Sequence, residues 1–162
     1  FPIHAVLHGE EKLYMVHKNL KVGVRYKIEG EIIDILDKGP KKGAYLITRV
    51  SGYQLDEQGN KDLAFYVDRS AFIRTIGGSG IKSNGKSPQI PNKPNRQHDL
   101  VLKDKTYPNQ ALLYRLVSDS NPLHVDPNMA ALGGFPKPII HGLATHGTVT
   151  RAIVQNLLDN DA

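Results

Sequence analysis

In the stretch S-D-S-N-P-L-H-V-D, Ser118 to Asp126, a carboxylate (Asp119), an amide (Asn121) and an imidazole (His124) fall within six residues. A carboxylate–imidazole pair can take one proton and give another, which is what adding water to a double bond or removing it requires. Asn121 is suited to hold a water or orient the imidazole, and Pro122 stiffens the loop before substrate arrives. The same letters have an ordinary use: Asp, Asn and Ser form loops and caps, and Asp126 ahead of Pro127 reads as a helix cap. Triad chemistry is disfavoured, because Ser118, Asp119 and His124 are close chain neighbours and no G-x-S-x-G elbow exists. His124, His141 and His146 lack the spacing of H-E-x-x-H, so no metal site is expected. His141-Gly142 opens a predicted helix. A glycine N–H there is unpaired and unshielded, so it can oppose a developing oxyanion, or Gly142 merely permits tight packing.

The elements that must position these groups divide the chain. Residues 1–77 read as an antiparallel meander of four strands rich in Val, Ile, Tyr and Phe. Its breaks are the turn-rich DKGPKKG (Asp37 to Gly43) and DEQGNKD (Asp56 to Asp62), and even spacing would put Ile28, Ile32 and Leu36 on one face. Residues 78–105 form a Gly/Pro-rich linker, with Pro88, Pro91 and Pro94 within seven positions. From Thr106 the pattern is helical. TYPNQALLYRLVS offers Thr106 as cap, DPNMAAL forms a short helix stopped by Gly133-Gly134, and IIHGLATHGTVTRAIVQNLLDN forms a longer one with Leu143, Val149, Ile153 and Leu157 near one stripe. Gly142, Ala144 and Gly147 would let that helix pack closely on a sheet.

GIKSNGKS, Gly80 to Ser87, fits the phosphate-loop pattern G-x-x-x-x-G-K-[ST] letter for letter. That chemistry needs a helix directly after the loop, and SPQIPNKP puts Pro91 and Pro94 inside it. ATP binding is therefore not expected.

Composition narrows the classes further. At 162 residues, 40% hydrophobic and 23% charged, the chain has the balance of one globular domain. It has no cysteine, which excludes disulfides and thiolate catalysis. No apolar run spans a bilayer and no signal peptide is read, so no membrane is expected. The net charge of +5 favours an anionic partner. Nucleic acid fits poorly, because the lysines are not interleaved with aromatics, and a phosphorylated small molecule fits better.

YRLVSDSNPLHVDPNMAALGGFPKPIIHGLATHG resembles the signature of the type 2, or MaoC-like, enoyl-CoA hydratases, a G-D-x-N-P-[LI]-H-x-D loop followed by K-P-I-[IL]-H-G. VLHGEEKL (Val6 to Leu13) and DILDKG (Asp34 to Gly39) extend the likeness to the hydratase 2 units of peroxisomal multifunctional enzymes. The resemblance implies an α+β hot-dog fold, an antiparallel sheet wrapped around a central helix, as part of a double hot dog. Residues 1–77 would be the strands of an incomplete N-terminal repeat. Residues 106–162 would be the active-site loop and central helix of an incomplete C-terminal one.

It further implies hydration of trans-2-enoyl-CoA to (3R)-3-hydroxyacyl-CoA in peroxisomal β-oxidation. Asp119 and His124 would be the acid–base pair, Asn121 would help bind water, and the Gly142 N–H would meet the thioester oxygen. His8, Gly9 and Lys38 would contact acyl-CoA, with Ser120, Pro122, Leu123 and His141 lining the site. Lys38, Lys41, Lys42, Lys82 and Lys86 are candidates for the coenzyme phosphates. No cofactor is implied, and a homodimer is, within a larger multifunctional chain. The alternatives are a non-catalytic acyl-CoA-binding hot dog and an acyl-thioester dehydratase or thioesterase. Ser118 departs from the pattern, standing where the family has Gly. If that position needs φ > 0, Ser adds strain and shifts Asp119.

Overall fold

The computed structural model describes residues 5–88, 90–117 and 119–161, in two compact units, Phe1–Ile90 and Pro91–Ala162. The first unit is a four-stranded antiparallel sheet of β1 (Val6–Met15), β2 (Tyr26–Asp37), β3 (Ala44–Leu55) and β4 (Lys61–Ile73). The four expected strands are present, but the sheet is not a simple meander. β2, β3 and β4 follow one another, whereas β1 pairs with β4, giving the order β1-β4-β3-β2. The backbone N–H groups of Val16 and His17 both donate to Ala64 O at 2.9 Å, turning the chain off β1 beside β4 rather than back along β1.

A bulge between Ile32 and Asp34 decides which side chains share a face. Ile28 pairs with Gly52 and Ile32 with Thr48, both on the even-numbered face of β3, while Leu36 pairs with Tyr45 on the odd one. Paired residues of a ladder share a face. Leu36 is therefore opposite Ile28 and Ile32, which corrects the even-spacing expectation: the extra residue inverts the alternation. On the same face as Leu36, Arg49 donates two hydrogen bonds to buried Asp68 across the β3–β4 ladder, at 2.6 and 2.8 Å.

The first stretch of the linker is bound to this sheet. Asp34 accepts from Ser83 Oγ (2.7 Å), Ser87 Oγ (2.6 Å) and the Asn84 N–H (3.0 Å). Asp37 accepts from the N–H groups of Gly39, Gly78 and Gly80 and from Ser79 Oγ. The phosphate-loop look-alike thus turns its donors on the protein's own carboxylates, and among the described residues no helix starts directly after it. The donors hold both carboxyls well below the usual range, the Ser87 hydroxyl chiefly at Asp34 and the Gly78 N–H at Asp37. A carboxylate with a depressed pKa contributes stability above its unfolded value of about 3.9 and loses it as acid protonates the folded form. The clasp therefore stands across the neutral range and weakens only well into acid. Asp34→Asn should release the strap at neutral pH. Tryptic cleavage after Lys82 and Lys86, followed by mass spectrometry, should then be faster than in the parent, and unchanged cleavage would show that Asp34 does not hold it.

The second unit contains α1 (Gln110–Arg115), a 3-10 turn over Pro122–His124, α2 (Pro127–Leu132) and α3 (Gly142–Leu157). α1 begins later than Thr106 suggests, after Asn109, and no side chain caps it. α2 begins as expected, with the Asp126 carboxylate accepting from the Asn128 N–H and Pro127 in the first turn. α3 starts at Gly142 rather than among the preceding isoleucines, because His141 is extended (φ −65°, ψ 139°). Ala144 is buried, while Val149, Ile153 and Leu157 are exposed and a side chain at Gly147 would meet nothing within 4 Å. No described helix is long and apolar enough to cross a membrane.

Candidate active site

The loop between α1 and α2 is built by its own side chains. Asp119 Oδ1 accepts from the Asn121 N–H (2.8 Å), and Asn121 Oδ1 accepts from the Leu123 N–H (3.1 Å), which starts the 3-10 turn. The two links are successive Asx turns, the conformation that short polar side chains favour. They put Leu123 in the core, 3% exposed, with His124 beside it in the buried set. Asn121 is thus a structural element of the loop through its oxygen.

Backbone and packing orient His124 instead. Its Nδ1 lies 2.9 Å from Ile139 O. A carbonyl only accepts, so Nδ1 carries the proton, and in the neutral ring Nε2 is a bare acceptor. That atom faces Asp119 Oδ2 at 3.8 Å, too far for a direct hydrogen bond. Two acceptors so placed suit a water molecule between them, which can donate one O–H to each. The Asp119 side chain is 46% exposed and that of His124 10%, so the pair opens to solvent on the carboxylate side.

Behind His124 lies His141. Its ring stacks on that of His124, centroids 3.8 Å apart and planes 24° apart, and lies 4.7 Å from the Tyr114 ring. His141 is 2% exposed, and among the described residues neither of its ring nitrogens makes a well-formed hydrogen bond. Burial, and then the charge of His124, push its pKa below the usual histidine range. A buried polar atom without a partner costs about 1–3 kcal/mol, so this ring is retained against a penalty.

Among the described residues, Asp119, His124 and His141 each place a ligating atom within 4.8 Å of the others. A zinc ion would sit along each ring's lone pair, about 2.0–2.1 Å out. Imidazoles stacked as these are hold their lone pairs in nearly parallel, separated planes, so one ion cannot lie in both without a ring tilting out of the stack. The arrangement suits proton transfer at Nε2 better than metal binding.

Gly142 is the first residue of α3, and no side chain caps this helix. Gly142 is an exposed residue, and its N–H sits at the positive end of a 16-residue helix dipole, where an anionic oxygen is stabilised. Of the other expected site residues in this unit, Ser120 is exposed and Pro122 half-buried. Ser118, with its possible strain, lies outside the described residues.

His8, Gly9 and Lys38 belong to the sheet unit. His8 Nε2 meets Glu11 Oε2 at 3.0 Å, and Lys38 Nζ stands 5.3 Å over the Tyr45 ring. Gly9 falls at a break in the β1–β4 register, where a Cβ would come within 3.1 Å of Ser70 O. Lys38 also lines a cavity of about 210 Å³ together with Lys12, Leu36, Tyr45 and Ile47. Tyr114 and the Ile139 carbonyl are site members the sequence reading missed. A backbone carbonyl leaves no mark in a sequence, and Tyr114 reads only as part of an apolar helix.

Comparison with known proteins follows the same residues. Residues 89–162 match the model of the MaoC like domain. The chain is 42% identical over 162 residues to peroxisomal multifunctional enzyme type 2 of Mus musculus, covering 99% of this chain and 21% of that protein. It is 40% identical over 159 residues to a probable enoyl-CoA hydratase 2 of Dictyostelium discoideum, covering 96% of this chain and 51% of that one. It therefore spans about half or less of the length of these relatives. The crystal structure of a MaoC-like dehydratase from Phytophthora capsici superposes with a TM-score of 0.77 at 33% identity, covering 95% of this chain and 51% of that chain. The fold is accordingly the α+β hot dog.

Proposed function

We propose, on the likeness of residues 89–162 to the MaoC like domain, that the protein adds water reversibly to trans-2-enoyl-CoA, giving (3R)-3-hydroxyacyl-CoA. The observation that carries this reading is the facing of Asp119 Oδ2 and His124 Nε2 at 3.8 Å, with Nδ1 tied back to Ile139 O. A water held between the two acceptors loses a proton to one of them as its oxygen bonds to the β-carbon. That group then passes the proton to the α-carbon, so the pair holds no extra proton at the start and none at the end. Both groups lie on one side of the bound alkene, which makes the addition syn. The thioester oxygen gains enolate charge in the transition state, and the Gly142 N–H is the donor that opposes it.

These steps use only the chain's own side chains and backbone. His8, Gly9 and Lys38 are the acyl-CoA contacts proposed for the sheet unit, and Lys41, Lys42, Lys82 and Lys86 the candidates for its phosphates. By kinship with the mouse enzyme, the reaction belongs to peroxisomal fatty-acid β-oxidation. Residues 1–77 are then strands of an N-terminal hot-dog repeat and residues 106–162 the loop and helix of a C-terminal one, in a homodimer of a larger multifunctional chain.

Hydration of a trans-2-enoyl-CoA by the full-length protein tests the reading. Absorbance of the conjugated thioester should fall, and the product should be oxidised only by a dehydrogenase specific for the (R) alcohol. Release of free coenzyme A thiol would mean a thioesterase, and acyl-CoA bound without turnover would mean a binding module.

A further inference from the structure

We propose that His141 is a positioning residue for His124: its buried ring is the plate on which the His124 imidazole lies, fixing the direction of Nε2. Two constraints are needed to hold an imidazole, and the structure supplies them from different directions. The hydrogen bond from Nδ1 to Ile139 O, 2.9 Å long, sets the tautomer and the rotation within the ring plane. It leaves the ring free to tilt about that bond. The stack at 3.8 Å and 24° removes the tilt, and Tyr114 backs His141 from 4.7 Å away.

The surroundings of His141 argue for this role over substrate contact. Both its ring nitrogens are sealed from solvent and, among the described residues, lack a well-formed hydrogen bond, so neither can meet substrate without rearrangement. What the ring does offer is a face, and that face is occupied by His124. Burial keeps His141 neutral, so the plate does not repel a proton arriving at His124. Tyr114 precedes the loop, His124 sits in its 3-10 turn and His141 is the residue before α3, so the stack also ties three successive elements to the reacting atom.

The inference rests on the hydratase reading for its kinetic arm alone. In the full-length protein, His141→Ala should lower kcat about 10–100-fold with KM little changed, since a misplacement of about 1 Å can cost about 10²-fold. His141→Phe keeps the plate and discards the orphan nitrogens, so it should recover most of kcat and unfold at an equal or higher temperature. Nitrogen NMR of the His124 ring supplies an arm independent of turnover: the Nδ1-protonated tautomer should persist in the parent and in His141→Phe, and mix with the other tautomer in His141→Ala. Two results would overturn the inference: His141→Ala with a parental His124 spectrum, or His141→Phe as impaired as His141→Ala, which would assign the work to the nitrogens. If the parent shows no hydration, the NMR comparison still decides the positioning role.

Discussion

If the proposed hydration holds, replacing His124 by Gln should lower its rate by about 10²–10⁴-fold, the range for loss of a positioned acid or base. Gln can still hydrogen-bond to Ile139 O but cannot exchange a proton at neutral pH. Its effect therefore isolates proton transfer from loop geometry, which the Asx turns of Asp119 and Asn121 maintain without His124. Asp119→Asn should fall in the same range. The double variant should be little worse than either single one, because two groups sharing one water act as a unit and their losses do not add. Steady-state kinetics on all three proteins, with thermal unfolding as the control for folding, measures this. Losses that multiply in the double variant would mean that the two residues act at separate steps.

The second large effect is expected from a change that removes a single hydrogen-bond donor. Gly142→Pro deletes the backbone N–H at the first position of α3 and nothing else the helix needs. Proline is at home there, where its N–H would have no helical partner. The residue before it must be extended, and His141 already is, at φ −65° and ψ 139°. The helix should remain intact, as circular dichroism would show, while kcat falls about 10²–10³-fold, the cost of one oxyanion donor. Gly142→Ala retains the N–H and serves as the comparison. Equal activity in the Pro and Ala variants would remove Gly142 from the chemistry and leave it a packing residue.

The closeness of Asp119 to His124 was legible in the sequence because they are near neighbours, and local spacing carries information that survives any fold. The strands were legible for a related reason: β-branched and aromatic runs between turn residues announce themselves locally. What stayed hidden depends on contacts distant along the chain. The pairing of β1 with β4 is set by the whole sheet, and no pattern within β1 encodes its partner. The stack of His141 on His124 joins residues whose spacing fits no recognised motif, and it carried no sign in either segment. Helix starts were half readable. Asp126-Pro127 is a chemical signal and was right, whereas Thr106 had the letters of a cap but the helix begins only after Asn109.

The bulge in β2 has a consequence for how this protein can vary. Without it Asp34 and Leu36 would both continue the parity of Ile28 and Ile32, and the Asp34 carboxylate would project away from Ile47, whose side it now shares. The added residue at Ile33 inverts that parity, so one strand presents Ile28 and Ile32 to one side and Leu36 with an anchor for Ser83, Asn84 and Ser87 to the other. The strap is thus encoded by chain length rather than by residue identity. No substitution in β2 could reproduce the inversion, and a single-codon deletion there would undo it while leaving every other letter of the protein in place.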